Sequence, residues 1–167
     1  MSRTLSGATT VDLHRALSDW GEAGSLAPSG GGGGAPAQPG DATWIHTFSP
    51  SSRWGSPGGD FAAQASSTLS VGGIGVATWP STAQLLADAQ DMLDNPATNF
   101  GWLVKGDELQ SAKRFDSREH PVVANRPVLR VSFGPRAQLS TSGSGCATTQ
   151  GRTLVLGASS APQLGQS

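Results

Sequence analysis

Hydrophobic and polar residues alternate along several short stretches of this chain, which is the pattern of half-buried β-strands. In residues 9–17, the alternation predicts that Val11 and Leu13 face a core. Asp12 and His14 are then expected on the opposite face of the strand. Comparable stretches predict further strands at residues 42–48, 61–71, 74–79, 100–105, 111–117 and 126–133.

One segment departs from this alternation and predicts a short α-helix over residues 81–94. Its apolar residues, including Leu85 and Met92, recur at helical spacing and define one face. Ser81 and Gln84 have the spacing of a capping box at the start of the helix. The aspartates of the segment are expected on the opposite face: Asp88, Asp91 and Asp94.

The pair Gly72-Gly73 predicts a tight hairpin between the strands at residues 61–71 and 74–79. These elements together predict an all-β fold with one short α-helix at about residues 81–94. Three tryptophans fall on predicted strands and are expected to fill the core: Trp44, Trp79 and Trp102. Trp20 is expected to close the end of a strand.

Glycine and proline limit the size of this core. The chain has 167 residues, of which 23 are glycine and 11 are proline. Much of this excess lies in the loops at residues 21–41 and 49–60 and in the tail after residue 134. We therefore predict one β-rich domain over residues 1–134. Residues 135–167 are predicted to be a Ser/Thr/Gly-rich linker, or the start of a following module.

Charge and hydropathy exclude several classes of protein. The net charge of −1 and the absence of a Lys/Arg run argue against binding of nucleic acid. No apolar run is long enough for a membrane span, and no signal peptide opens the chain. The single cysteine excludes an intramolecular disulfide framework.

Catalytic motifs are weak. The three histidines are scattered along the sequence, and no Gly-x-Ser-x-Gly motif lies between a strand and a helix. A glycosidase needs two carboxyl groups about 5 to 9 Å apart, and the sequence shows no cleft that would arrange such a pair. We therefore predict that the chain is not an enzyme.

The aromatic composition suits carbohydrate binding. The chain has five tryptophans and no tyrosine, and Trp54 lies in a loop beside Arg53. Aromatic faces stack on apolar sugar surfaces, and polar side chains at the rim bind hydroxyl or acidic groups. The densest basic cluster is expected to be either a solvated sheet edge or a site for an anionic polymer: Lys113, Arg114 and Arg118.

Two oxygen-rich loops are candidates for one structural calcium ion, since Ca²⁺ takes carboxylate and backbone carbonyl ligands. Asp60 follows a Gly-Gly pair, and Asp107 and Glu108 follow Gly106. Plain turns are the alternative interpretation of both loops. No other cofactor is expected to be required.

Five stretches, taken together and in this order, resemble the C-terminal part of the DNRLRE domain, which is also grouped as the family 96 carbohydrate-binding module. They are residues 39–46, 54–61, 99–108, 111–119 and 126–131. The resemblance implies a jelly-roll-like antiparallel β-sandwich that is secreted, non-catalytic and attached to larger extracellular proteins. Strands that usually precede Val11 are absent, so the chain is expected to be an N-terminally truncated copy, a fragment of the domain.

The resemblance also implies a function, because some similar modules bind acidic polysaccharides such as alginate. We therefore expect a non-catalytic, extracellular module for a polysaccharide, with an acidic polymer as one option. Its expected partners are that polymer and other domains of the same parent protein. The alternative is a structural or adhesive spacer in a secreted multidomain protein. A polysaccharide lyase or glycosidase is the third option and rests on jelly-roll analogy.

Overall fold

The computed structural model describes residues 3–4, 7–26, 34–107, 113–133 and 154–158. Within these residues, every strand pairing is antiparallel, and one α-helix accompanies the strands. The predicted β-rich character with a single short α-helix is therefore confirmed for the described part of the chain.

The elements follow one another in this order: β1 Arg3–Thr4, β2 Thr9–Arg15, β3 His46–Phe48, β4 Ser52–Arg53, β5 Ser67–Val71, β6 Thr78–Trp79, α1 Ala83–Asp94, β7 Trp102–Gly106, β8 Lys113–Arg114, β9 Pro127–Val131 and β10 Leu154–Ala158. Two short 3-10 helices lie at Pro96–Thr98 and Val123–Asn125. Long loops separate many of these strands, as the glycine and proline content predicts.

The central sheet has the strand order β5-β2-β7, so β2 is paired on both sides. Val11 and Leu13 of β2 are buried, as their alternation predicts. They belong to the main hydrophobic core together with Val71, Ala77 and Trp79. The indole Nε1 of Trp79 donates a hydrogen bond of 3.0 Å to the Val11 carbonyl, which fixes the largest core side chain to the central strand.

The remaining strands form three smaller sheets, with the orders β6-β10-β9, β1-β8 and β3-β4. β10 lies within the segment predicted to be a linker or the start of a following module. It pairs with all five residues of β9 and with both residues of β6. The strand at the C-terminal side of the chain thereby joins β6 and β9 in one sheet.

The helix begins one residue later than its capping box predicts. Thr82 is the N-cap residue, because its backbone is extended and its hydroxyl accepts a hydrogen bond of 2.9 Å from the Leu85 N–H. Leu85 and Met92 are buried, as predicted. The prediction that Asp88 lies on the exposed face is wrong, because a hydroxyl from the segment before β5 meets its carboxylate in the interior.

The predicted hairpin at residues 72–73 is also wrong. β5 pairs with β2, and the expected return strand is reduced to β6, which pairs with β10. Ile74 is 71% exposed and Val76 is 49% exposed, so the expected apolar face is not buried. Gly75 has a φ of +149°, which interrupts an extended strand at this point.

Both faces of β2 are covered at its C-terminal end, where His14 lies. The segment just before β5 runs along this region, where Phe61 forms a bridge with Ala16. His14 is buried, its Nδ1 lies 2.7 Å from the Ala62 carbonyl oxygen, and its ring lies 5.0 Å from the Phe61 ring. His14 lies on the strand face opposite Val11 and Leu13, as predicted, but it is buried there rather than exposed.

Candidate functional site

Three tryptophans from distant parts of the chain line one pocket of about 240 Å³, which we call the tryptophan pocket. Trp20 lies in the segment after β2, Trp54 directly follows β4, and Trp102 is the first residue of β7. Asp60 contributes a carboxylate. The rest of the described wall is apolar and consists of Ala16, Ala42 and Leu103.

The indole N–H groups of the tryptophan pocket all donate to acceptors within the protein. The hydrogen bonds run from Trp20 to the Phe100 carbonyl at 2.9 Å, from Trp54 to the Thr43 carbonyl at 2.8 Å, and from Trp102 to the Ser66 hydroxyl at 3.0 Å. These bonds fix the orientation of each ring. Because the N–H groups are occupied, the rings offer their faces and carbon edges to a ligand.

Asp60 is held at the tryptophan pocket by three donors. Its carboxylate accepts hydrogen bonds from Gly55 N–H at 3.0 Å, the Ser18 hydroxyl at 2.9 Å and Ser56 N–H at 3.2 Å. The pKa of Asp60 lies below its ordinary value mainly because of the Gly55 N–H, and to a smaller extent because of the Ser18 hydroxyl. A carboxylate has about four acceptor positions, and three of those on Asp60 are occupied by these donors.

Two glycines allow the turn that brings Asp60 to this position. Gly58 and Gly59 have φ values of +99° and +116°, a backbone conformation that residues other than glycine rarely adopt. A Cβ on Gly59 would lie 2.8 Å from Cδ1 of Leu103, which lines the pocket. A Cβ on Gly58 would lie 2.9 Å from the Trp44 ring, so both positions require glycine.

A second pocket, of about 500 Å³, adjoins the first, and we call it the acidic pocket. Trp20 and Ala42 line both pockets. The acidic pocket also contains Arg118, which forms ion pairs with Glu22 at 2.9 Å and with Glu119 at 3.2 Å. These three side chains are exposed to solvent, so their ion pairs contribute little to stability.

Asp41 is a buried carboxylate that organises the wall of the acidic pocket. It accepts hydrogen bonds from the backbone N–H of Ala23 at 2.8 Å and of Gln38 at 2.6 Å. The pKa of Asp41 lies below its ordinary value mainly because of the Gln38 N–H, and to a smaller extent because of the Ser25 hydroxyl. The Asp41 carboxylate therefore joins the two ends of the predicted loop at residues 21–41.

The predicted ligand-binding residues are divided between the pockets and other surfaces. Trp54 is half-buried and lines the tryptophan pocket, and Arg118 lines the acidic pocket. Arg53, Lys113 and Arg114 are not among the described residues that line either pocket. Lys113 donates a hydrogen bond of 2.6 Å to the Gly7 carbonyl oxygen, so its ammonium group is directed to the backbone near β1.

The predicted metal ligands fall in three different situations. Asp60 is bonded to the three donors described above, and Asp107 accepts a hydrogen bond from the Thr9 hydroxyl. Glu108 lies outside the described residues. Among the residues that the structure describes, no group of three or more His, Cys, Asp and Glu side chains could hold a metal ion.

Sequence reasoning missed the convergence of Trp20 and Trp102 with Trp54. Trp102 does pack against the hydrophobic core, as predicted, but it also lines the tryptophan pocket. Trp44 was expected in the core and is instead 63% exposed, with its ring against Gly58. The available signal was that Trp20 and Trp54 both occupy loops, where indoles serve binding more readily than packing.

The chain matches no family model, no curated protein and no solved structure. The resemblance to the DNRLRE domain therefore stays a prediction from the sequence. Within the described residues, no helix has the length and apolar character that crossing a membrane requires. The functional interpretation accordingly depends on the two pockets and the side chains that line them.

Proposed function

We propose that this protein is a non-catalytic carbohydrate-binding module that holds a polysaccharide in the tryptophan pocket. The observation that carries the proposal is the convergence of Trp20, Trp54 and Trp102 on one pocket, each with its indole N–H occupied. Sugar rings have apolar C–H faces that stack on such indoles. Preorganised rings also reduce the entropy lost when the ligand binds.

The size and polarity of the tryptophan pocket suit one sugar unit. Pockets for drug-sized ligands measure about 300–1,000 Å³, whereas this pocket measures about 240 Å³. Its described wall is apolar apart from Asp60, whose carboxylate would accept a hydrogen bond from a sugar hydroxyl. Stacking would supply most of the affinity, and Asp60 would fix the orientation of the ring.

Binding without catalysis fits the carboxylates of this pocket. Among the described lining residues of the tryptophan pocket, Asp60 is the only carboxylate, whereas glycoside hydrolysis uses two. The carboxylates of the adjoining acidic pocket are bonded to Arg118 or to backbone N–H groups. A general acid also needs a raised pKa, whereas hydrogen bonds lower the pKa of Asp60. These observations favour a binding module over a lyase or a glycosidase.

The proposal includes the finer points that the sequence resemblance implies. These are a jelly-roll-like sandwich of the DNRLRE kind, secretion, and attachment to a larger extracellular protein. The antiparallel, β-rich architecture of the described residues supports the first of these points. A structural or adhesive spacer is the second candidate, and the tryptophan pocket favours the binding module over it.

Isothermal titration of the full chain against a panel of polysaccharides tests the proposal. We expect Trp54→Ala and Trp20→Ala each to weaken binding by roughly twofold to tenfold, because each removes one stacking surface worth about 0.5–1.5 kcal/mol. Trp44→Ala is the matched control, because Trp44 is exposed but does not belong to the tryptophan pocket. This control is expected to bind as the wild type does.

Circular dichroism melting of each variant separates lost binding from lost folding. Trp20 is 43% exposed, so its replacement should leave the fold intact even if Trp54→Ala is destabilised. Equal affinities for the wild type and Trp20→Ala would contradict the proposed site. A wild-type chain that binds no polysaccharide at millimolar sugar would overturn the function and favour the spacer.

A further inference from the structure

The tryptophan pocket and the acidic pocket adjoin each other, since Trp20 and Ala42 belong to the walls of both. We refer to the two pockets together as the groove. A ligand longer than one sugar unit that passes Trp20 and Ala42 would therefore reach the acidic pocket. The charge of the second pocket then affects which polymers are accepted.

The described lining of the groove is strongly acidic. It carries one basic side chain, Arg118, and four carboxylates: Glu22, Asp41, Asp60 and Glu119. One positive and four negative charges leave a net charge of −3. Arg118 forms ion pairs with Glu22 and Glu119 at 2.9 Å and 3.2 Å, and the net charge of −3 already includes its positive charge.

We propose that the groove selects an uncharged polysaccharide and binds at least two consecutive sugar units of it. This inference rests on the proposed carbohydrate-binding function. One unit stacks in the tryptophan pocket, and the next directs its hydroxyl groups to Glu22 or Glu119 in the acidic pocket. Hydrogen bonds from hydroxyls to carboxylates are among the stronger ones in proteins.

A polymer of uronic acids would instead bring its own carboxylates against those of the groove. Like charges placed together across an interface disfavour binding. The basic side chains predicted to attract such a polymer do not compensate, because Arg53, Lys113 and Arg114 are not among the described lining residues. The acidic-polymer option of the sequence analysis is therefore the less favourable one.

Titration with neutral glucan, neutral xylan and alginate distinguishes these ligands. We expect a neutral polymer to bind at least about tenfold more tightly than alginate, since like-charge contacts disfavour the latter. Raising the ionic strength should strengthen residual alginate binding by screening, and change neutral binding by less than about twofold. Affinity should also rise from the monosaccharide to the trisaccharide of the preferred polymer.

A charge variant tests the electrostatic cause. Glu22→Gln removes one carboxylate and releases one ion pair of Arg118, so alginate binding should strengthen at least threefold. The amide oxygen is a weaker acceptor than the carboxylate, so neutral binding should weaken while alginate binding strengthens, and the preference for the neutral polymer should decrease. Asp94→Asn is the matched control, because it removes the same charge from an exposed position of α1 outside the groove.

The outcomes separate this inference from the function on which it rests. A wild-type chain that prefers alginate over every neutral polymer would overturn the inference and leave carbohydrate binding in place. A wild-type chain that binds no polysaccharide would overturn both. Alginate affinities that are equal in Glu22→Gln, Asp94→Asn and the wild type would refute the role assigned to the groove carboxylates.

Discussion

At the scale of single residues, exposure alone does not distinguish a binding tryptophan from an incidental one. Trp44 is the most exposed of the described tryptophans at 63%, yet it lies outside the tryptophan pocket. Trp54 is half-buried and lines the pocket, with its N–H bonded to Thr43. What marks Trp54 is a fixed ring beside other fixed rings, which a ligand can use without ordering the side chain.

Two carboxylates, Asp41 and Asp60, make stability depend on acid pH. Hydrogen bonds lower the pKa of each carboxylate in the folded protein below its value in the unfolded chain. At a pH between the folded and the unfolded pKa of a group, the unfolded chain therefore binds more protons than the folded protein. Their stabilising contribution is complete well above the ordinary aspartate pKa of about 3.9 and is lost as the pH falls through the lower folded value. We expect urea midpoints to decrease as the pH falls below about 4.

Substitution of these carboxylates checks the cause of that decrease. The double variant Asp41→Asn/Asp60→Asn should show a flatter dependence of the urea midpoint on pH, because it no longer titrates at these positions. Asp94→Asn is the control for loss of a charge at an exposed site. A dependence as steep in the double variant as in the wild type would refute this account.

At the scale of elements, a buried hydrogen-bond network attaches α1 to the segment before β5. Asp88 accepts hydrogen bonds from the Ser66 hydroxyl at 2.5 Å and from Gln84 at 2.8 Å. The Thr82 hydroxyl also donates to the Ser66 carbonyl oxygen. The Ser66 hydroxyl in turn accepts from the Trp102 indole at 3.0 Å, so the same network positions one ring of the tryptophan pocket.

Removal of the Asp88 carboxylate should destabilise the protein. Asp88→Ala leaves the buried Ser66 hydroxyl and the half-buried Gln84 amide without their acceptor, and we expect a loss of about 1.5–3 kcal/mol in the free energy of unfolding. Asp94→Ala is a matched control, because Asp94 also accepts from a glutamine four residues earlier but is exposed. Its expected effect is less than about 0.5 kcal/mol, measured by urea unfolding.

Asp88 and Asp94 each accept a hydrogen bond from a glutamine four residues earlier, but only Asp88 is buried. Equal losses of stability for Asp88→Ala and Asp94→Ala would show that the buried network contributes nothing beyond the helix itself. A loss confined to Asp88→Ala would support the attachment of α1 through Ser66.

At the scale of the whole molecule, backbone hydrogen bonds join the segments that line the groove. Ala16 N–H donates to the Gly101 carbonyl at 3.0 Å, and Leu17 N–H donates to the Asp60 carbonyl at 2.9 Å. Ala42 N–H donates to the Gly21 carbonyl at 2.7 Å. The lining residues therefore belong to segments that are mutually attached, although they lie far apart in the sequence.

The sequence predicts local elements of this fold better than their long-range arrangement. The alternation in β2 and the helical spacing of Leu85 and Met92 depend on neighbouring residues, and both predictions are confirmed. The burial of His14 and Asp88 depends on which distant segment covers the faces of β2 and α1 on which they lie. Local periodicity contains no information about these contacts. The predicted hairpin at residues 72–73 is wrong for the same reason, because β10 supplies the partner of β6.

The candidate site follows the same division. Trp54 was predicted to bind a ligand from its loop position, and it lines the tryptophan pocket. Trp20 and Trp102 could not be assigned to the same site from the sequence, because only the folded chain brings positions 20, 54 and 102 together. Proximity in the sequence also suggested a basic cluster, but only Arg118 of its three residues is among the described groove residues.

The central claim is that a sugar binds against the indoles of the tryptophan pocket, and the indole N–H signals of the five tryptophans report this directly. In an NMR titration of the chain with a neutral oligosaccharide, we predict saturable shifts for Trp20, Trp54 and Trp102. The signals of Trp44 and Trp79 should stay unchanged, because neither residue lines the pocket. A titration that shifts only these two signals, or none of the five, would contradict the account.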